Sequence, residues 1–323
     1  MSAEAPLTTQ ADILDAYARV APRLHRTPTV SSRALSQRTS TRASLKLELF
    51  QKTGSFKPRG ALNALAHLSE EQRHRGVVSM SAGNHAQALA WAARSMGVRA
   101  TLVMPQTAVP IKVEATRGYG GEVVLTSDPL MDVCEQIERE RNLTFVHPFD
   151  DPHVIAGAAT VGMEVVEDSP DVEWVVVGCG GGGLVSGVAS AVTLWKPGAK
   201  VIGVEPQGAT KMIDSLAAGK AMHASSRSTI ADGLAAPFAG VLNYAHVRAR
   251  VDRMVTVTDA EIVEAMRFLM ERVKVVAEPA GAAATAALLS GRLELPSGVR
   301  VVSIVSGGNV DLTRLSQLLA AGR

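Results

Sequence analysis

Residues 174–195 read WVVVGCGGGGLVSGVASAVTLW, a run of 22 residues without a charge. That is long enough for a membrane span, which needs about 20 apolar residues. Six of them are glycines, however, and Gly180, Gly181, Gly182 and Gly183 stand in a row where a spanning helix needs a regular backbone. The run therefore reads as three pieces: a buried strand, a glycine loop and a buried helix. On either side of it, short apolar runs recur with helical stretches between them, at 43–49 (ASLKLEL), 76–80 (GVVSM), 99–105 (RATLVMP), 121–126 (GEVVLT), 200–205 (KVIGVE), 252–257 (DRMVTV) and 300–306 (RVVSIVS). Several are apolar at successive positions, as strands covered on both faces of a parallel sheet are. The helices between them would supply the crossovers, which makes the chain an α/β protein. Between 98 and 149 the cycle is short and regular, and a second series runs from 173 onward, so two α/β lobes are expected.

Composition agrees. A chain of 323 residues corresponds to roughly two domains at about 150 residues each. Lys and Arg number 33 against 31 Asp and Glu, so no basic footprint for nucleic acid and no acidic tail is visible. Two cysteines, Cys134 and Cys179, cannot build a disulfide framework and point to a reducing compartment. The opening residues carry no basic segment followed by an apolar one, so a secretory signal is not expected and a cytoplasmic location is.

Four loops carry chemistry. In GSFKPRGALNAL (54–65), Lys57 precedes a proline suited to the first helical position. Beside the apolar Phe56 and the positive end of a helix dipole, an ammonium is disfavoured, which suits Schiff-base formation with an aldehyde; a solvated lysine is the commoner case. GCGGGGL (178–184) offers a row of amides at a helix start, a phosphate site. Gly178, Gly180 and Gly183 also satisfy G-x-G-x-x-G, with Glu205 as a candidate ribose-binding acid, so a nicotinamide oxidoreductase is a rival. Against it, the unit lies mid-chain and glycines fill the intervening positions; close helix–strand packing is a third account. SAGNHAQALAWAA (81–93) gathers Ser81, Gly83, Asn84 and His85 at a helix start, a place for a carboxylate or a simple N-cap. RVVSIVSGGNVD (300–311) puts Ser306 at the carboxyl end of a strand, where open α/β sheets bind ligands. Together the loops describe a small molecule with an aldehyde, a phosphate and a heteroaromatic ring, plus a substrate carboxylate.

From about His25 to Asp311 these motifs resemble the pyridoxal-phosphate enzymes of the tryptophan synthase β-like fold (fold type II), in the branch of threonine/serine dehydratases and serine racemases. The resemblance implies pyridoxal 5'-phosphate as cofactor and two lobes, each a mostly parallel sheet covered by helices. It implies a large domain of 1–75 and 153–323 and a small domain of 76–152. It makes Lys57 the Schiff-base and catalytic lysine, with Phe56 beside the ring. Asn84 falls on its ring hydroxyl, Gly180, Gly181, Gly182, Gly183 and Leu184 on the phosphate, Gly233 of IADGLA near the ring and Ser306 on the pyridine nitrogen. The substrate carboxylate falls on Ser81, Ala82, Gly83, Asn84 and His85. Pyridoxal phosphate is favoured over a nicotinamide because the rival accounts for one loop only.

Within that branch two positions discriminate. Racemases are expected to carry a serine where Ala82 stands, and alanine has no proton to give, so dehydration is expected over racemisation. Some relatives bind a divalent cation between a glutamate, a main-chain carbonyl and an aspartate; Glu205 and Ala209 match the first two, but Lys211 replaces the aspartate. No metal is expected, and the Lys211 ammonium is expected to pair with Glu205 instead. The implied reaction is β-elimination of a β-hydroxy amino acid such as L-threonine or L-serine to a 2-oxo acid and ammonia. Freed Lys57 takes the Cα proton, and the cofactor phosphate protonates the leaving hydroxyl. Substrates of a 3-hydroxyaspartate, phenylserine or hydroxyectoine pathway are alternatives. With 12 residues after Asp311, no C-terminal regulatory domain and no isoleucine feedback are expected. A homodimer or homotetramer, without nucleic-acid or membrane partners, completes the expectation.

Overall fold

In the computed structural model, which describes residues 6–320, the uncharged run divides as its glycines require. The strand Trp174–Gly178 is followed by a loop and then by the helix Gly183–Trp195. Among the described residues ten strands form: β1 (Thr29–Ser31), β2 (Arg42–Leu47), β3 (Val77–Met80), β4 (Ala100–Pro105), β5 (Glu122–Thr126), β6 (Thr144–Phe145), β7 (Trp174–Gly178), β8 (Lys200–Pro206), β9 (Arg253–Val257) and β10 (Arg300–Val305). All eight expected apolar runs are strands. The two not anticipated, β1 and β6, are three and two residues long, too short to carry a period.

The strands make two sheets, ordered β1-β2-β10-β7-β8-β9 and β5-β4-β3-β6. Every pairing is parallel except β1 on β2. The larger sheet takes β2 from the N-terminal part of the chain, where Arg42 pairs with Arg300 of β10. Its centre is dry: Val175, Val176 and Val177 of β7 are fully buried, and each such side chain contributes on the order of 1.5–3 kcal/mol. The alanine-rich helix Pro279–Leu289 packs over β7, β8, β9 and β10, and it is buried almost all round, as its lack of a polar face requires. Opposite, the helices Pro152–Asp168 and Gly183–Trp195 lie against each other at close range. A Cβ on Gly187 would fall 2.5 Å from the Ala159 nitrogen, so only glycine permits that approach. Among the described residues, no helix is long and apolar enough to cross a membrane.

This topology places three of the singled-out loops at carboxyl ends of parallel strands: residue 81 after β3, residue 179 after β7 and Ser306 after β10. In open α/β sheets that is where ligands bind.

Candidate active site

The loops converge on one cavity of about 1020 Å³ between the two sheets. Phe56 and Lys57, residues 81–85, residues 180–184, Gly233 and Ser306 all line it, so every residue singled out for the cofactor or the substrate reaches the same space.

Lys57 is the N-cap of the helix Pro58–Ala66, with Pro58 at the first helical position. Its amine donates to the Pro148 carbonyl at 2.9 Å and lies 5.2 Å from the centre of the Phe56 ring. Burial lowers its pKa from 10.5 to about 8. The loop is tied to the strand bearing Ser306: Phe56 N donates to Ser306 O at 3.1 Å, and Ser55 bridges to Gly307.

Two residues beyond Lys57, Arg59 is buried in a network of charges. Its guanidinium binds Glu48 through Nε and Nη2 at 2.8 Å, and Glu164 through Nη1 and Nη2 at 2.8 and 2.9 Å. Lys46 Nζ reaches Glu164 at 2.7 Å and Asp168 at 3.2 Å. These charges are satisfied by one another, the condition for burying them, and they fix the start of the lysine-bearing helix from behind.

The glycine loop opens the helix Gly183–Trp195, whose first amides have no intrahelical acceptor. Gly182 has φ +111°, a backbone that side chains other than glycine's rarely adopt. A Cβ on Gly181 would run into the Phe149 ring. The run of glycines thus serves close packing and also leaves amides bare at a positive helix end.

The turn after β3 differs from a simple cap. Ser81 Oγ accepts from Gly83 N at 3.0 Å, while Gly83 is the N-cap of the helix Asn84–Ser95 and makes no side-chain cap bond. The Asn84 side chain instead accepts from Asn309 Nδ2 at 2.8 Å and donates to Glu278 Oε1 at 2.5 Å. His85 is held by Ser79 Oγ at 3.0 Å. Burial, then the charges of Lys57 and His147, push its pKa well below the ordinary histidine value, so it is neutral. Ala82 faces the cavity without a titratable group.

Glu205, the candidate ribose-binding acid, is fully buried and engaged elsewhere. It accepts from Lys211 Nζ at 3.0 Å, from Met212 N at 3.0 Å and from Ile213 N at 2.9 Å. Burial pushes its pKa up, against the pull of the ammonium. Lys211 Nζ also donates to Ala209 O at 3.2 Å and to Leu234 O at 2.9 Å, so three oxygens surround one cation. The nicotinamide alternative loses its acid here.

Three charged residues of the cavity, Glu278, Lys112 and Asp232, are not among those the sequence singles out. Glu278 precedes Pro279 at the start of a helix, a signal for an N-cap, yet it makes no cap bond and reaches into the cavity. Burial raises its pKa to about 7, with Asp232 adding to the rise while Lys112 and Asn84 oppose it. Lys112 pairs with Asp232 at 2.6 Å. Nothing local in the sequence joins residues so far apart in the chain.

Comparison with known proteins agrees with this geometry. Residues 20–307 match the family described as pyridoxal-phosphate dependent enzyme. The chain is 46% identical over 319 residues to the L-threonine ammonia-lyase of Thermotoga maritima, covering 98% of this chain and 79% of that one. It is 42% identical to the catabolic L-threonine dehydratase of Staphylococcus aureus, with 98% and 94% covered. Among solved structures, maize serine racemase superposes with a TM-score of 0.93 at 39% identity, covering 98% of each chain. A threonine deaminase from tomato, Solanum lycopersicum, in its processed form superposes at 0.90 and 32%, covering 97% of this chain and 94% of that one.

Proposed function

Because the chain belongs to the pyridoxal-phosphate dependent enzymes, of fold type II, we propose that it is an ammonia-lyase acting on L-threonine and L-serine. The β-hydroxyl leaves as water with the Cα proton, and one water is taken up again when the released imine hydrolyses, so the net products are a 2-oxo acid and ammonia. One observation carries this reading: a buried amine with a pKa of about 8 shares its cavity with a glycine-rich helix start and with the 81–85 turn.

The donor set fits the cofactor. Lys57 supplies an amine for the aldehyde, residues 180–184 supply amides for the phosphate, and Asn84 and Ser306 supply polar atoms for the ring. Bound there, pyridoxal phosphate supplies an electron sink for the pair left when the Cα–H bond breaks. Ser306 is neutral, so it accepts or donates one hydrogen bond at the ring nitrogen without holding it protonated. The first-turn amides of the helix Asn84–Ser95 receive the substrate carboxylate and orient Cα. Lys57, uncharged at neutral to mildly basic pH more readily than a lysine in water, takes the Cα proton. Ala82, at the position where a racemase would need a second base, lines the cavity but has no proton to give, which favours elimination over racemisation.

The Lys211 ammonium, held by Glu205, Ala209 and Leu234, takes the place of a divalent cation. Residues 76–152 form the small domain, a division supported by β3, β4, β5 and β6 falling within it. The enzyme works in the cytoplasm as a homodimer or homotetramer.

The test is release of 2-oxo acid over a panel of β-hydroxy amino acids, both enantiomers of each, together with mass spectrometry after hydride reduction. Turnover of L-threonine or L-serine and a modified Lys57 are expected. An unmodified Lys57, or no 2-oxo acid from any member of the panel, overturns the reading.

A further inference from the structure

Lys112 belongs to the helix Pro110–Gly118 beside the four-stranded sheet, and Asp232 begins the short turn Asp232–Leu234 on the other side of the cavity. Their side chains meet across its mouth, Nζ to Oδ2 at 2.6 Å, and both residues line the cavity. The lysine stem lies directly over the carboxylate turn. A Cβ on Gly83 would stand 3.1 Å from Lys112 Cδ and 3.3 Å from Nζ, so the missing side chain at 83 is what lets the ammonium lie there. On the far side, Asp232 is followed by Gly233, whose carbonyl would meet a Cβ on Gly180 at 2.9 Å, and by Leu234, whose carbonyl receives Lys211. The pair thus joins the turn expected to hold the substrate carboxylate to the segment expected to flank the cofactor ring.

Its exposure is uneven, 11% for the lysine side chain and 52% for the aspartate. The aspartate end is half open to water, which screens the pair and weakens its hold on the buried ammonium. That suits a contact broken to admit substrate and re-formed behind it.

We propose that Lys112 and Asp232 are positioning residues whose ion pair is the closure contact of the active site, holding the 81–85 turn where its amides receive the substrate carboxylate. The proposal rests on the reading of that turn given above. Neither residue takes a proton or touches a reacting atom; the pair acts through the turn.

Holoenzyme variants test it. Lys112→Met and Asp232→Asn are each expected to raise KM for L-threonine about tenfold while kcat stays within about threefold, the mark of lost binding rather than lost chemistry. Lys112→Arg is expected to keep most of the affinity, and the charge swap Lys112→Asp with Asp232→Lys to recover part of what either single change loses. An independent readout is amide hydrogen exchange of the 81–85 turn, expected to quicken several-fold in Lys112→Met and Asp232→Asn with the rest of the small lobe unchanged. Arg141→Met, which removes the exposed pair with Glu122 in the same lobe, serves as the control with unchanged KM. Unchanged KM and unchanged exchange in Lys112→Met overturn the proposal, as does an Arg variant no better than Met. A wild-type enzyme that releases no 2-oxo acid defeats the functional reading instead, and exchange at the turn then decides the closure contact alone.

Discussion

An amine attacks an aldehyde only through its lone pair, so the chemistry at position 57 depends on how readily the ammonium gives up its proton. Burial lowers that pKa from 10.5 to about 8, which makes about half of the side chains neutral at pH 8, against a small fraction in water. Capture of pyridoxal phosphate by the cofactor-free protein is therefore expected to accelerate as pH rises through about 8 and then level off, followed by the growth of visible absorbance. Lys57→Ala is expected to fold, to lose that absorbance step and to abolish turnover, a loss of several orders of magnitude in kcat/KM. Glu278 runs the other way. Its carboxyl is raised from 4.5 to about 7, so the folded protein binds a proton that the unfolded chain has released between those values. Stability must then fall as pH rises from about 4.5 to about 7, by up to about 3 kcal/mol. Glu278→Gln, which keeps the acceptor for Asn84 but cannot ionise, is expected to flatten that slope in denaturant titrations of the cofactor-free protein at pH 5.5 and pH 8.

At the scale of elements, what could be read in advance follows from burial. Strands such as β7 and β10 are buried on both faces and announce themselves as unbroken apolar runs, and a glycine row between such a strand and a helix has few uses. The short strands β1 and β6 carry no such signal. The same holds within the site: Lys57, Asn84 and the glycines stand in local motifs that single them out as candidates, and they line one cavity, whereas Glu278 and Lys112 meet partners far away in the chain. The segment from β8 to the helix Lys211–Ala218 lies between these cases. The sequence showed a lysine where an aspartate was expected, and the structure places its ammonium on Glu205, Ala209 and Leu234. A bound divalent ion would have to displace that ammonium from its own ligands. Chelation with EDTA and addition of magnesium or calcium are therefore expected to leave both activity and melting temperature unchanged. Lys211→Met strands a buried carboxylate and should destabilise by about 3–5 kcal/mol, measured by thermal unfolding.

Across the whole molecule, the catalytic lysine proposed here sits where the two lobes are joined. The helix that begins beside it buries Ala61, Leu62 and Leu65 in the core shared with β3 and the helix Asn84–Ser95, on the side of the smaller sheet. Arg59 of the same helix faces the other way, to Glu48 just after β2 and to Glu164 of the helix Pro152–Asp168, where Lys46 of the larger sheet also binds. One helix thus belongs to both cores, and its charged anchor is almost completely dry: Arg59 is 1% exposed and Glu48 0%. Such a network adds little net stability over well-packed apolar residues, yet removing one member leaves uncompensated charges in the interior. Arg59→Met is therefore expected to cost about 3–5 kcal/mol, far more than an exposed pair such as Arg141 with Glu122, which is worth about 0–1 kcal/mol. The loss should also appear at the site, because the freed helix start carries Lys57 two residues away. Weaker retention of pyridoxal phosphate, measured as its dissociation during dialysis at a temperature where the variant is still folded, should accompany the lower melting point. Retention equal to the wild type in a destabilised Arg59→Met would mean that the network holds the lobes together without positioning the lysine.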